Sequence, residues 1–249
     1  FLANAFFTLG QLCFEVPTGV LADVKGRRLS YLYGTITLSL STLIYFYAWQ
    51  IHAPFWAWAF SSILLGLGFT FFSGATEAWL VDALEFTGFK GHLEKVFAHG
   101  QIIGGIAMLA GSVGGGMIAQ STNIGVPYLL RAGILGITFV IAYLYMKDYG
   151  FTPRKSAQVS TEMKQLFTTS LQFGWNKLAV RFMMIASLFT AGVGFYTFYA
   201  AQPYLLELYG DKGAYGIAGI TAAIVAGSQI VGGLSVSYIK SLFQKRTTI

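Results

Sequence analysis

Seven runs of 20 or more mostly apolar residues occupy most of this chain: Phe1 to Ala22, Leu29 to Gln50, Phe55 to Leu84, Val96 to Gln120, Val126 to Met146, Phe182 to Leu206 and Ala214 to Ile239. About 20 residues rising 1.5 Å apiece are enough to cross the hydrocarbon core of a bilayer. In lipid an unpaired peptide group is too costly to persist, so each run is expected to be a helix whose backbone bonds close within the segment. The expected fold class is therefore an all-α polytopic membrane protein, a helical bundle. Composition agrees, with 55% of residues apolar, only 10% charged and a mean hydropathy of +0.62, against about 25% charged in soluble domains. The single Cys13 lies inside an apolar run, which excludes a disulfide within the chain and predicts a small buried hydrophobe.

A sequence pI near 9.3 raises nucleic acid as a partner, but the bases gather at the ends of the apolar runs rather than on one polar face. Lys25, Arg27, Arg28, Lys90, Lys95, Lys147, Arg154, Lys155, Lys164, Lys177, Arg181, Lys240, Lys245 and Arg246 fall in alternate connections, 14 of the 16 bases, and only Arg131 and Lys212 lie toward the other side. That asymmetry marks the basic connections as cytoplasmic. Nucleic-acid binding is excluded on the same ground.

The first basic connection is also a motif. Gly19, Asp23, Gly26, Arg27 and Arg28 stand in the register G-x-x-x-D-x-x-G-R-R directly after an apolar run, with Lys25 between them. This resembles the signature of the major facilitator superfamily, G-x-x-x-D-[R/K]-x-G-R-[R/K], which in those transporters follows the second membrane helix. The resemblance implies that the seven runs are helices two to eight of an expected twelve, so that the chain is a fragment. It implies a secondary active transporter that moves a small-molecule solute by alternating access, without cofactor or metal, as a monomer in the bilayer. A bacterial-type inner membrane is the expected location, with the signature and central loops cytoplasmic.

On that register residues 1–151 are most of the amino-terminal half, 152–181 a cytoplasmic central loop, and 182–249 the start of the carboxy-terminal half. The central loop is the longest polar stretch, and Met163, Phe167, Leu171, Gly174, Trp175 and Leu178 recur in it at helical spacing behind Ser160, which predicts an interfacial amphipathic helix. After the seventh run Gly232, Gly233 and Leu234 lead into Lys240, Lys245 and Arg246. Glycine followed by bases at that place is what a second, acid-free copy of the signature in a parallel repeat looks like.

Asn4, Thr8, Gln11, Glu15 and Thr18 recur at i, i+4, i+7, i+11 and i+14 of the first run. One polar face through the membrane predicts the wall of a water-filled path, because an acid such as Glu15 is expensive in lipid unless hydrated or paired. The third run carries Glu77, Asp82 and Glu85. Counted back from Glu85 along one continuous helix, Glu77 lies roughly 12 Å inside and Asp82 within about 5 Å of the end. Glu77 and Glu15 are therefore the proton-coupling candidates, Glu77 first on depth. Asp82 is placed to meet Arg27, and it resembles the superfamily's acid near the cytoplasmic end of the fourth helix. The resemblance implies a charged latch of Asp23, Arg27 and Asp82.

Ala107, Gly111, Ser112, Gly115 and Gly116 resemble the antiporter pattern g-x-x-x-G-P-x-x-G-G, with Ser112 in place of the proline. That likeness tilts the expectation toward proton-coupled efflux of an amphipathic or drug-like compound, with a nutrient symporter as the rival. In physical terms Gly104, Ala107, Gly111 and Gly115 form a small-residue face that predicts close helix contact. The efflux pattern R-x-x-Q-G keeps only its glycine here, in Ser62-Ile63-Leu64-Leu65-Gly66. Phe69, Phe71, Phe72, Phe195, Tyr196, Phe198 and Tyr199 suit an aromatic solute or simple packing. Enzymatic readings find little support: His52, His92 and His99 lack metal-ligand spacing, Gly111-Ser112 is no G-x-S-x-G elbow, and no phosphate-binding loop occurs. An intramembrane hydrolase is the distant alternative, and a channel would differ by continuous conductance.

Overall fold

A computed structural model describes the chain except residues 1, 74, 154–160, 162–163, 166–167, 170–171, 212 and 243–249. The described residues form helices and no strands. In order these are α1 (Leu2–Lys25), α2 (Arg27–Gln50), α3 (Phe55–Phe72), α4 (Ala75–Phe86), α5 (Leu93–Ser121), α6 (Val126–Tyr145), α7 (Leu178–Tyr209) and α8 (Tyr215–Leu242). Among the described residues five stretches are long and apolar enough to cross a membrane: Leu2–Lys25, Arg27–Gln50, Phe55–Phe86, Lys95–Ser121 and Val126–Tyr145. In α7 and α8 the described apolar parts are shorter, Leu178–Ser187 and Tyr215–Ser228. Residues 172–176 are helical, but Ser160, Met163, Phe167 and Leu171 of the expected amphipathic helix lie outside the described residues, as do Lys245 and Arg246.

The chain divides into two compact units, Phe1–Lys90 with Pro127–Leu188, and Gly91–Val126 with Phe189–Ile249. The first is built like a membrane protein turned outward. Its fully buried side chains are Ser30, Thr35, Ser41, Thr42, Ser61 and Ser62, all 0% exposed, whereas Leu12, Trp56 and Ile137 are 76%, 71% and 62% exposed. Lipid accepts large apolar groups, so helices gain by close backbone approach and interhelical hydrogen bonds, and small or hydroxyl residues collect between them. Ser41 Oγ donates to the Ser61 carbonyl at 2.8 Å, and Tyr45 shares a short hydrogen bond with Ser62, fastening α2 to α3. Where Gly10 and Gly66 cross, α1 and α3 leave no room for a side chain. A Cβ added to Gly10 would stand 2.7 Å from the Ile63 carbonyl oxygen, and one added to Gly66 would stand 2.9 Å from the Gln11 amide nitrogen.

Two expectations change. The third run is not one helix: α3 stops at Phe72, Ser73 turns out of helical geometry at φ −59°, ψ 132°, and α4 resumes at Ala75. Cys13, expected to be a buried hydrophobe, is exposed, because α1 turns Gly10, Thr18 and Ala22 inward instead. The aromatics Phe69, Phe71 and Phe72 are engaged in packing, edge-on to Phe7 at 5.6 Å, tilted to Tyr33 at 6.1 Å and edge-on to Tyr31 at 4.5 Å respectively. The side chains of Phe195, Tyr196, Phe198 and Tyr199 lie outside the described ones.

In the second unit α5 packs on α8. The small-residue contact is real, but on a neighbouring face to the expected one. A Cβ at Gly104, Gly111 or Gly115 would meet nothing within 4 Å among the described residues, whereas one at Gly105 would meet the Ile230 side chain at 2.5 Å and one at Gly116 the Tyr215 carbonyl oxygen at 2.8 Å. A Cβ added at Gly219 would press on the Ser112 carbonyl from the other side.

Candidate functional site

The signature residues stand on two helices joined by a single residue. α1 runs on through Asp23 to Lys25, α2 starts at Arg27, and Gly26 between them adopts φ 108°, ψ 152°. That backbone region is open essentially to glycine alone. The sharp reversal puts Asp23 and Arg27 one helical turn apart in sequence yet on different elements, and Arg27 Nη1 reaches Asp23 Oδ1 at 2.6 Å. Asp82 on α4 comes in from the other side, its Oδ2 at 3.9 Å from Arg27 Nε. This is an ion pair and not a hydrogen bond, since Arg27 Nε is buried and finds no hydrogen-bond acceptor among the described residues. The three side chains are 19–32% exposed, so the pairing is less screened by water than an open surface contact. Gly19 lies half-buried one turn before Asp23. A small polar cleft of about 100 Å³ opens beside the triad, closed by Gly150, Phe151 and Thr152.

Sequence reasoning did not find Asp148, which holds this turn from outside. A residue at φ 108° cannot present a normal capping side chain, and Gly26 has none, so α2 begins without a cap of its own. The missing acceptor arrives from the exit of α6: Asp148 Oδ1 accepts the Arg28 amide at 2.8 Å, and its carboxylate fills the space where a Cβ on Gly26 would sit. Arg28 is gripped by the same segment, Nη2 donating to the Tyr143 carbonyl at 2.6 Å with the guanidinium 5.2 Å from the Tyr143 ring centre. Trp79 Nε1 donates to the Lys147 carbonyl at 2.7 Å, tying α4 to that exit as well. In the sequence Asp148 stands 120 residues from Arg28, and no local pattern ties it to the turn.

Losing a cap costs about 1 kcal/mol, and a carboxylate at a helix N-terminus adds a favourable dipole contact. Asp148→Ala is therefore expected to destabilise the purified full-length protein by about that amount, and Asp148→Asn, which keeps an oxygen acceptor, by less. Thermal unfolding in detergent checks both, and equal loss for the two variants contradicts the capping role.

The other expected residues are placed as follows. Thr8 Oγ1 donates to the Asn4 carbonyl at 3.3 Å within α1, Thr8 is exposed and Gln11 half-buried. Thr18 leaves that face: it is buried at 4% and donates to the Thr70 carbonyl of α3 at 3.2 Å. Glu15 is exposed on α1 and accepts a 2.6 Å hydrogen bond from Ser73 Oγ at the break between α3 and α4. Glu77 is not deep in a continuous helix but in the first turn of α4, where a carboxylate is stabilising by its contact with the helix dipole. In the second unit Ser112 and Gly116 face α8 while Gly111 and Gly115 do not. Ser112 Oγ turns back on the Met108 carbonyl at 2.6 Å, and Gln120 Oε1 accepts the Gly216 amide at 2.7 Å, capping the start of α8.

Five apolar spans and a charged turn between the first two are a membrane arrangement, and the sequence profile that matches it is that of the Major Facilitator Superfamily, over residues 2–249. The chain belongs to that superfamily. No curated protein and no solved structure matches it. As a superfamily member it is a secondary transporter embedded in a lipid bilayer, it acts on small-molecule solutes, and it is not an enzyme.

Proposed function

We propose that this chain is helices two to eight of a twelve-helix carrier that exports an amphipathic or drug-like solute against protons. On this reading residues 1–151 are most of one half, 152–181 the central loop and 182–249 the start of the other half, and the signature and central loops face the cytoplasm of a bacterial-type inner membrane. The carrier works as a monomer. Asn4, Thr8, Gln11 and Glu15 line the solute path, Glu15 or Glu77 carries the coupling proton, and the Asp23, Arg27 and Asp82 triad latches one side of the path in alternation.

The observation that carries the reading is Glu15: an acid 14 residues into a membrane helix, exposed, and paired among the described residues only with a serine hydroxyl. An uncompensated carboxylate is expensive in lipid, so an exposed one belongs beside water or a partner that changes. The close contact of Ser112 and Gly116 with α8 favours the antiporter form. The absence of the efflux arginine and glutamine from Ser62–Gly66 favours the second reading, a proton-coupled nutrient symporter.

Full-length protein in vesicles of known orientation, loaded with the amphipathic dye ethidium, separates these. Under an imposed pH gradient the native transporter is expected to move dye outward. Either Glu15→Gln or Glu77→Gln is expected to lower gradient-driven movement at least tenfold while sparing dye exchange, because only the proton-linked step needs titration. If both variants keep normal gradient-driven movement, coupling lies in other helices.

A further inference from the structure

The end of α3 is a helix terminus inside a membrane span, and a terminus leaves its last carbonyls without intrahelical partners. Glu15, Ser73 and Thr76 are exposed there while Thr18 and Ser30 are buried, and hydroxyls from neighbouring elements reach those carbonyls. Thr18 of α1 donates to the Thr70 carbonyl at 3.2 Å, Ser30 of α2 to the Phe71 carbonyl at 3.0 Å and Thr76 of α4 to the Phe72 carbonyl at 3.2 Å. The break is thus built in, held from three sides. Two hydroxyls in it have a choice of acceptor: Thr18 Oγ1 lies 2.8 Å from the Phe14 carbonyl and 3.2 Å from those of Glu15 and Thr70, Ser73 Oγ lies 2.6 Å from Glu15 Oε1 and 3.1 Å from the Thr70 carbonyl, and each has a single hydrogen to donate.

We propose that Ser73 reads the protonation state of Glu15 and passes it to the break between α3 and α4. With Glu15 ionised, the carboxylate accepts the Ser73 hydrogen, and the Thr70 carbonyl is left to Thr18, whose one hydrogen is shared with the Phe14 and Glu15 carbonyls. When a proton binds the carboxylate, the new Glu15 O–H donates to Ser73 Oγ, and the Ser73 hydrogen turns to the Thr70 carbonyl. No atom other than hydrogen has to move, yet the last turn of α3 gains a second hydroxyl donor. The part this plays in transport rests on the proton-coupling reading; the switch itself requires only that Glu15 titrate. It also reverses the ranking by depth, since Glu77 sits in the first turn of α4 with no side-chain hydrogen bond among the described residues, whereas Glu15 touches the discontinuity.

Few other ionisable groups face this point. α3 carries none, and α2 carries Arg27, Arg28 and four tyrosines. α4 carries Glu77, Asp82 and Glu85, and on α1 itself only Cys13, Asp23 and Lys25 accompany Glu15. Arg27 lies past the Gly26 reversal, and the ten residues of α1 from Glu15 to Lys25 rise roughly 15 Å, more than the Debye length of about 8–10 Å at ordinary salt. Glu77 is the group to control for.

Hydrogen exchange of the full-length protein in lipid nanodiscs, followed against pH and corrected for intrinsic exchange chemistry, tests the switch without any solute. Protection of the amides from Thr70 to Glu77 is expected to rise about three- to tenfold as the pH falls through the titration, the effect of one added hydrogen bond. Glu15→Gln and Ser73→Ala are expected to flatten that dependence. Ser73→Thr, which restores a hydroxyl, and Glu77→Gln are expected to keep it. A pH-independent native profile, or a dependence that survives Glu15→Gln, overturns the proposal. A flattened profile in Glu15→Gln with unimpaired gradient-driven dye movement instead sinks the coupling reading and leaves the switch standing.

Discussion

Gly66→Val is expected to leave far less folded transporter than the native sequence, with a loss of about 1–3 kcal/mol or more from overpacking. The reason is that nothing nearby can yield. The first atom added at Gly66 presses on the Phe7 carbonyl and stands 2.9 Å from the Gln11 amide nitrogen and 3.2 Å from the Gly10 carbonyl carbon, all of them backbone of α1. A side chain in the way could change rotamer, but a helix backbone can only move away, and moving α1 from α3 also separates Thr18 from the Thr70 carbonyl and Glu15 from Ser73. Gly66→Ala is expected to show a milder version of the same defect. Thermal unfolding of the purified variants and their yield in membranes measure it; native-like melting of Gly66→Val contradicts the α1–α3 crossing described above.

Gly66 shows how far the sequence could be read. Its residue type was plain, but on its own helix it looked like the remnant of a motif, because spacing along one helix carries no information about which residue of another helix lies opposite. The same limit explains α5. Glycine is so frequent there that the stripe through Gly104 and Gly111 and the stripe through Gly105, Ser112 and Gly116 both keep helical spacing, and only packing against Gly219 and Ile230 chooses the second. The apolar runs and the bases at their ends were legible because bilayer thickness and charge placement act on each segment separately. The break at Ser73 was not, since no proline marks it. It exists because Thr18, Ser30 and Thr76 satisfy the freed carbonyls, and three ordinary hydroxyl residues on three elements leave no local pattern. Asp148 was hidden for the same reason: its partner is a backbone amide 120 residues away.

Asp23→Asn is expected to lower transport by the full-length protein at least tenfold while leaving its amount in the membrane nearly unchanged. Arg27 is the hub of the triad, with Nη1 on Asp23 at 2.6 Å and Nε facing Asp82 at 3.9 Å without a hydrogen bond. The two acids therefore do different work. Asp23 holds the guanidinium across the Gly26 reversal, and Asp82 on α4 stands at the longer distance, where a small displacement of α4 can close or break the contact. The latch proposed above needs one firm and one labile bond, and the 2.6 Å and 3.9 Å contacts of Arg27 differ in that sense. Neutralising Asp23 leaves a partly buried guanidinium with one distant carboxylate, and the backbone turn survives because Asp148 still caps α2. Membrane level should hold while turnover falls. A double-mutant cycle of Arg27→Gln with Asp82→Asn, read as ethidium transport, is expected to show coupling of 0.5 kcal/mol or more, roughly the lower end for residues in one network. Additive effects of those two substitutions would reduce Arg27 to a topology-setting base and detach Asp82 from the latch.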